Sequence, residues 1–427
     1  MTETTSWTEQ PREQQVSDLM AVLDVTRKLA ASTELDTLLK AIEESALQVL
    51  DCERATIFLH DAATDELYSE VATGVGEIRF GASLGIAGEA FRSAAVVRVP
   101  DAYADKRFNP EIDRKTGYRT RSILTFPLRG FDGGAVGVLQ VLNKREGTFT
   151  EWDEELGRAY GAQAGVAVQR QRLLDEFAQK QKIERDLQVA REVQQALLPE
   201  AAPTIPGFDL AGWNKPADET GGDFFDYQPL DDGRVVVMLA DATGHGIGAA
   251  LVASECRSLL RATFLAGSDI DQALNGVNRI LEEDLPDDRF LTAFVATLSP
   301  DSDKIAFVSA GHGPIILYRA ATKECRICKA SGLPLSVLAD LPYDPPEEFA
   351  MEEGDMLLIA TDGFDEWSDA EGNPFGTERI EDCLRDHAEE PSSKLIERLY
   401  ERVLAFTGGT EQRDDLTAII IKRCASS

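Results

Sequence analysis

The sequence predicts an α+β protein of two domains joined by a helical connector. Three observations carry this reading. The 427 residues exceed what one ordinary core accommodates. Apolar periodicity switches repeatedly between the helical and the extended repeat. The run from Leu173 to Leu198 holds neither glycine nor proline, whereas glycine-rich turns punctuate the stretches before it.

Residues 1–12 are polar and mixed in charge, and a disordered tail is expected there. The first domain is placed at 13–171. Val16, Leu19, Met20, Leu23, Val25 and Leu29 recur at helical spacing and predict a leading helix over 13–31. Leu35 to Leu50 predicts a second helix, with Ser32 or Thr33 as its N-cap. The period then changes to strands at Ala55–Leu59, Leu67–Thr73, Val96–Val99, Ile123–Leu128 and Val136–Asn143. Trp152 to Gln171 turns helical again. In the connector, 172–199, Phe177, Ile183, Leu187, Ala190 and Leu197 form a thin apolar seam that Lys180 and Gln194 interrupt. Such a seam fits a parallel dimeric coiled coil or a helix lying on a neighbouring domain, as a switchable connector or as a plain spacer. Pro199 ends it. Over 200–424 strands dominate, at Val235–Ala240, Phe290–Leu298, Lys304–Ser309, Ile315–Tyr318, Met356–Thr361 and Leu416–Lys422. Two helical blocks, Ile247–Ala266 and Ile270–Glu283, interrupt them. Many antiparallel strands with inserted helix pairs define an α+β domain.

Bulk properties exclude several classes. A net charge of −32 opposes a nucleic-acid partner, which needs a basic surface to displace counterions. No apolar run approaches the ~20 residues of a membrane span. The polar start lacks a signal-peptide core. Six cysteines are scattered along the chain, which fits a reducing, cytoplasmic setting. Cys325 and Cys328 form a lone C-x-x-C within an alternating stretch that reads as a hairpin, short of the four ligands of a zinc site.

Four acidic positions of the second domain share one design: a strand or turn, an aspartate, and small residues beside it. They are Gly221-Gly222-Asp223, Leu239-Ala240-Asp241-Ala242-Thr243-Gly244, Ala360-Thr361-Asp362-Gly363 and Arg413-Asp414-Asp415-Leu416. Each alone reads as a turn. As a set, carboxylates on adjacent strand ends would converge on one sheet edge, where mutual repulsion is tolerable only around a bound cation. All-oxygen donors select Mg²⁺ or Mn²⁺ over zinc. Two such ions ~4 Å apart would deprotonate a bridging water and aim it at phosphorus, with no phosphoenzyme intermediate. The sequence has no Cys-x5-Arg phosphatase loop that would offer one.

These residues also carry a family resemblance. Asp223-Phe-Phe-Asp226, Asp241-Ala-Thr-Gly-His-Gly246, Phe307-Val-Ser-Ala-Gly-His-Gly-Pro314, Gly332-Leu-Pro-Leu335, Gly354-Asp-Met-Leu-Leu-Ile-Ala-Thr-Asp-Gly363 and Asp414-Asp-Leu-Thr417 follow the order seen in PPM-type phosphatases. The chain is most similar to the bacterial SpoIIE/RsbU-like subgroup, whose entry helix Ala190-Arg-Glu-Val-Gln-Gln-Ala-Leu-Leu-Pro199 also resembles. The resemblance implies an αββα sandwich and a metal-dependent protein serine/threonine phosphatase. Asp223 and Asp241 look like ligands of one ion. Asp241, the carbonyl of Ala242, Asp362 and Asp414 look like ligands of the other, with Asp415, Gly222 and Gly363 supporting them from behind. His245 reads as a packed or helix-start histidine, and His312 as ordering a loop. The phosphate-gripping arginine of eukaryotic members has no clear counterpart; Lys215 and Arg413 are the candidates to replace it.

The first domain resembles a GAF domain, an antiparallel sheet with flanking helices. Asn143-Lys144, then Phe149, then Asp153-Glu154 match the Asn-Lys-x(n)-Phe-x3-Asp-Glu signature of GAF domains from cyclic-nucleotide phosphodiesterases and adenylyl cyclases. The stretches Asp101–Asn109 and Thr120–Leu124 look similar to the same subset. The resemblance makes a cyclic nucleotide the candidate ligand. Physically, Lys144 at a strand end is placed to pair with Asp153 at a helix start, so the motif also fits a domain that binds nothing. The resemblance further implies a phosphorylated regulatory protein of the anti-sigma-factor antagonist type as substrate, and a homodimer through GAF and connector helices. Two rivals compete: a catalytically weak scaffold, which requires a missing ligand, and a cyclic-nucleotide hydrolase, for which four dispersed histidines are too few.

Overall fold

The computed structural model describes residues 34–69, 78–300, 302–338 and 340–425, with scattered positions between 16 and 29. The expected tail lies outside these residues, and so does most of the leading helix, of which Val22 and Leu29 are buried in the N-terminal core. The chain divides into two compact units, Met1–Lys182 and Ile183–Ser427. Among the described residues no helix is long and apolar enough to cross a membrane.

The N-terminal unit is built on one antiparallel sheet. Helix α1 (Leu35–Val49) leads into β1 (Cys52–Asp61), β2 (Glu66–Ser69) and β3 (Ile78–Gly81). After α2 (Gly85–Ser93) come β4 (Val97–Val99), the short α3 (Glu111–Thr116), β5 (Ile123–Arg129) and β6 (Ala135–Lys144). The spatial order is β3-β2-β1-β6-β5-β4. Strand alternation sends Ile57 and Leu59 to the face covered by α1 and α4 (Glu151–Leu197), where Ile42, Phe126, Tyr160 and Val168 complete the core. Phe58 and Val138 point to the opposite face and meet Ala87 and Ala90 of α2. The Tyr160 hydroxyl donates to the Ile42 carbonyl at 2.6 Å, tying α4 to α1.

Two expectations need correction here, and a third is described only in part. The cap of α1 is Glu34, which makes no side-chain capping bond, and Ser32 and Thr33 lie outside the described residues. The strand expected over Leu67–Thr73 is described only as far as Ser69. The helices read separately on either side of Gln171 are one 47-residue helix, because nothing between Trp152 and Leu197 breaks it.

The C-terminal unit stacks two five-stranded antiparallel sheets. Its strands are β7 (Phe208–Lys215), β8 (Asp223–Pro229), β9 (Val235–Ala242), β10 (Leu291–Leu298), β11 (Lys304–Ala310), β12 (Ile315–Arg319), β13 (Glu324–Cys328), β14 (Glu347–Ala350), β15 (Met356–Ala360) and β16 (Leu416–Arg423). One sheet runs β14-β11-β10-β9-β8 and the other β13-β12-β15-β16-β7. Leu239, Phe294 and Phe307 of the first interlock with Ile359, Ile419 and Ile421 of the second. Outside, α5 (Ile247–Leu265) and α6 (Ile270–Asp284) cover the first sheet. The short α7 (Gly363–Glu366) with α8 (Thr377–Asp386) and α9 (Ser392–Thr407) cover the second. This is the αββα sandwich. The Ile315–Ala330 hairpin forms as β12–β13, with Tyr318 opposite Cys325 and Ile315 opposite Cys328. Three residues apart on a strand, the two thiols point to opposite faces: Cys325 packs in the outer core and Cys328 in the inner one. They share no site.

Candidate functional site

The strand ends of the sandwich gather the predicted carboxylates. Asp223 opens β8 and stands opposite Asp241, near the end of β9, in the antiparallel register. Asp362 follows β15 and starts α7, and Asp414 and Asp415 immediately precede β16. β15 and β16 are paired neighbours in the second sheet, so the two sheets each deliver one pair of aspartates to one edge.

A hydrogen-bond frame holds these ends. The buried Asp415 carboxylate accepts from the backbone N–H groups of Ala217 at 2.8 Å, Gly222 at 2.6 Å and Asp223 at 3.3 Å. The Thr417 hydroxyl donates to Asp223 Oδ2 at 2.6 Å and accepts from Asn214 Nδ2 at 2.8 Å. Thr361 and Thr417 cross-link β15 and β16 beside it. Two glycines permit this closeness. A methyl at residue 222 would lie 2.8 Å from the Ala242 carbonyl oxygen, and one at 363 would lie 2.1 Å from the Asp415 carbonyl oxygen. Gln194 of α4 adds a support that sequence reasoning missed. Its amide donates to the Gly221 carbonyl at 2.6 Å and accepts from the Gly221 N–H at 3.1 Å.

The electrostatics separate these carboxylates from a buried acid of the same strand. Asp226, also on β8 and 2% exposed, is answered by Arg257 at 2.9 Å and Arg261 at 2.7 Å. Asp223 has only threonine hydroxyls and more acid. Burial, then Asp241 and Asp415, push its carboxyl well above the usual range. Burial, with Asp362 and Asp414, pushes Asp241 up to about 7. Burial and Asp414 likewise raise Asp362. Asp241 thus lies in the field of Asp362 and Asp414, and Asp223 in that of Asp241, although among the described residues no three acidic, histidine or cysteine side chains close around a single point. The donor set is all oxygen, and its leading influences are burial and like charge. Those conditions fit a hard divalent cation and do not fit zinc.

His245 is exposed just before α5, its Nδ1 2.7 Å from Asp218; it starts a helix and does not pack. His312 is buried, 2.8 Å from the Thr292 hydroxyl through Nδ1, and its backbone N–H donates to the Ser309 hydroxyl at 3.1 Å. Burial pushes that imidazole down to about 4, so it is neutral near pH 7. Lys215 is hydrogen-bonded to the Tyr400 hydroxyl and lies 4.8 Å over its ring.

In the N-terminal unit the signature residues build structure. Asn143, at φ 57°, accepts from the N–H of Arg121 and donates to Glu53, Tyr118 and the Arg119 carbonyl. Lys144 bonds Asp153 at 2.8 Å and the Leu50 carbonyl at 3.0 Å. Asp153 also accepts from the Thr150 N–H and hydroxyl, while its own N–H donates to the Thr150 hydroxyl, forming a capping box for α4. Phe149 is buried, and Glu154 pairs with Arg98. None of the five lines the cavity of about 610 Å³ on the other face of the sheet, which is bounded by Arg54, Phe80, Ile86, Arg107, Tyr118 and Gln140. Its arginines are engaged: Arg54 stacks 3.8 Å over Tyr118, and Arg107 pairs with Asp105 and Glu89.

Comparison with known proteins agrees with both halves. Residues 34–168 match the family model of the GAF domain, and residues 231–424 match that of Stage II sporulation protein E. The second match contains Asp241, Asp362 and Asp414 and begins after Asp223. The chain is similar to the phosphoserine phosphatase RsbU of Bacillus subtilis, 26% identical over 57% of this chain and 72% of that protein. It is also similar to a probable 3′,5′-cyclic phosphodiesterase of Caenorhabditis elegans, 31% identical over 40% of this chain. The chain spans only 25% of that phosphodiesterase. Among solved structures, the SiaA-PP2C domain of Pseudomonas aeruginosa shares the fold, with a TM-score of 0.51 and 26% identity over 58% of this chain and 99% of that one.

Proposed function

We propose that this chain, a GAF domain joined by a helix to a PPM-type protein serine/threonine phosphatase domain of the SpoIIE group, dephosphorylates a regulatory protein with the help of two divalent cations, Mn²⁺ or Mg²⁺. The substrate class we infer is a phosphorylated anti-sigma-factor antagonist or a similar regulator. The observation that carries the metal reading is the set of strand-end carboxylates opposed by burial and by one another. Asp223 and Asp241 would hold one ion, and Asp241, the Ala242 carbonyl, Asp362 and Asp414 the other. Such ions, when bound, supply Lewis acidity at phosphorus and lower the pKa of a nucleophilic water. The protein's part is orientation. Asp415 fixes the Gly222–Asp223 backbone, Thr417 orients one oxygen of Asp223, and the Thr361–Thr417 cross-link sets the distance between Asp362 and Asp414.

The domain limits we assign are 13–171 for the GAF sensor, 172–199 for the connector and 200–424 for the phosphatase. In the sensor, the cavity of about 610 Å³ has the size of a small-ligand site, and a cyclic nucleotide is our candidate for it. Of the connector seam, Phe177 and Ile183 are exposed and Leu187, Ala190 and Leu197 half-buried, and a second copy of the helix would cover the seam in a coiled-coil homodimer. The test is release of phosphate from a phosphoserine protein with Mn²⁺ or Mg²⁺. Asp241→Ala should lower the rate by roughly 10²-fold or more. A wild-type protein inactive with both metals, or an Asp241→Ala variant of undiminished activity, rejects the reading.

A further inference from the structure

A second feature adjoins the carboxylates. A cavity of about 640 Å³ opens beside Asp414, walled by Glu366, Trp367, Asp369, Glu411 and Arg413. One wall is fixed: the Trp367 indole donates to the Thr410 hydroxyl at 3.0 Å, which donates to the Ser368 carbonyl at 2.9 Å. The segment that carries Arg413 is fixed too. The Gln412 amide donates to the Lys215 carbonyl at 3.0 Å and to the Asp414 carbonyl at 2.8 Å.

Charge sets the requirement. A phosphate monoester near neutral pH carries close to two negative charges, and these walls, with the aspartates behind them, repel it. Lys215, Arg289 and Arg413 each flank a carboxylate-bearing segment. The Lys215 ammonium is spent on the Tyr400 hydroxyl and ring. Arg289 donates to the Thr243 carbonyl at 2.9 Å and lies against Gly244, bracing the Asp241 loop. Arg413 is exposed, and its guanidinium makes no hydrogen bond or ion pair among the described residues. It is also the cavity's one cationic lining residue among them. A free planar guanidinium next to Asp414, on a backbone pinned at both sides, has the geometry for two parallel hydrogen bonds to phosphate oxygens.

We propose that Arg413 is the substrate-phosphate contact of this enzyme and that the cavity beside Asp414 receives the phosphorylated side chain. This rests on the phosphatase reading and deepens it. The experiment measures two things on the full chain with Mn²⁺: KM and kcat for a phosphoserine protein and for p-nitrophenyl phosphate, and binding of inorganic phosphate by calorimetry. Arg413→Ala should raise KM for both substrates and weaken phosphate binding by ~10-fold or more, the low end for a lost charge-assisted pair. Its Mn²⁺ half-saturation and melting temperature should stay unchanged, and Arg413→Lys should recover part of the loss. Phosphate binding equal in wild type and Arg413→Ala, or absent from wild type, overturns the assignment. Wild type that binds phosphate through Arg413 without turning over substrate supports the assignment while rejecting the phosphatase reading.

Discussion

Glu43 is a buried acid on α1 whose carboxylate accepts from the Ile57 N–H at 3.3 Å. Burial pushes its pKa from 4.5 up to about 7, the N–H bond opposing and Glu44 adding to the rise. The folded state thus binds this proton more tightly than the unfolded chain. The stability it confers is complete below pH 4.5 and is lost as pH rises through about 7. Glu43→Gln should therefore raise the N-terminal unit's melting temperature relative to wild type at pH 8, by no more than ~3 kcal/mol of stability. The gap should close toward pH 5; a gap independent of pH would mean that the cost at Glu43 is not ionisation. That strain was not legible in the sequence, where Glu43 reads as one more acid on a helix. The site aspartates were legible, because each sits beside small residues at a strand end and four such places recur. Their supports were not. Thr417 and Asp223 are 194 residues apart, and no local pattern links a threonine to a carboxylate at that separation. The partner of His245 was not legible either: Asp218 lies in a loop 27 residues earlier and holds the imidazole at the surface.

At the scale of elements, α4 ends on the loop that opens β8. The paired hydrogen bonds between the Gln194 side chain and Gly221 hold the backbone two residues before Asp223. Without them the Gly221–Asp223 turn keeps its Asp415 contacts, the bond from the Ala242 N–H to the Gly222 carbonyl and the Thr417 bond to Asp223. Gln194→Ala should raise the Mn²⁺ half-saturation several-fold while kcat at saturating metal falls little, a split visible in a manganese titration of phosphatase rate. Equal losses at all metal concentrations would place the role of Gln194 elsewhere. In the seam of the connector Gln194 reads only as an interruption. Tertiary structure explains it as a side chain turned toward the phosphatase strands. Elements with near-continuous apolar runs, such as β9, β10 and β16, were legible because both faces of each are buried between layers. The helices α8 and α9 were not. Their apolar stripes face one side, and charge dominates the rest, so a window average reads polar loop where Ile380, Leu384, Leu395 and Leu399 enter the outer core.

At the scale of the molecule, apolar burial is divided. Three clusters draw on residues between Val22 and Val168, and three others on residues between Leu198 and Ile421. A domain with its own core can unfold by itself, and two domains on one helix then respond separately to whatever binds each. Scanning calorimetry should resolve two transitions. Mn²⁺ should raise the one that belongs to the phosphatase, where it relieves the repulsion among Asp223, Asp241 and Asp362. A cyclic nucleotide that enters the sensor cavity should raise the other, by about 2.7 kcal/mol of stability at a hundred times its Kd. The cross-terms decide whether the connector transmits. If the sensor ligand also shifts the manganese-dependent transition, the coupling free energy between the two sites is that shift, and linkage requires manganese to change the ligand's affinity by the same factor. If each ligand moves only its own transition, sensor and phosphatase are thermodynamically independent within one chain, and regulation must act through association between chains.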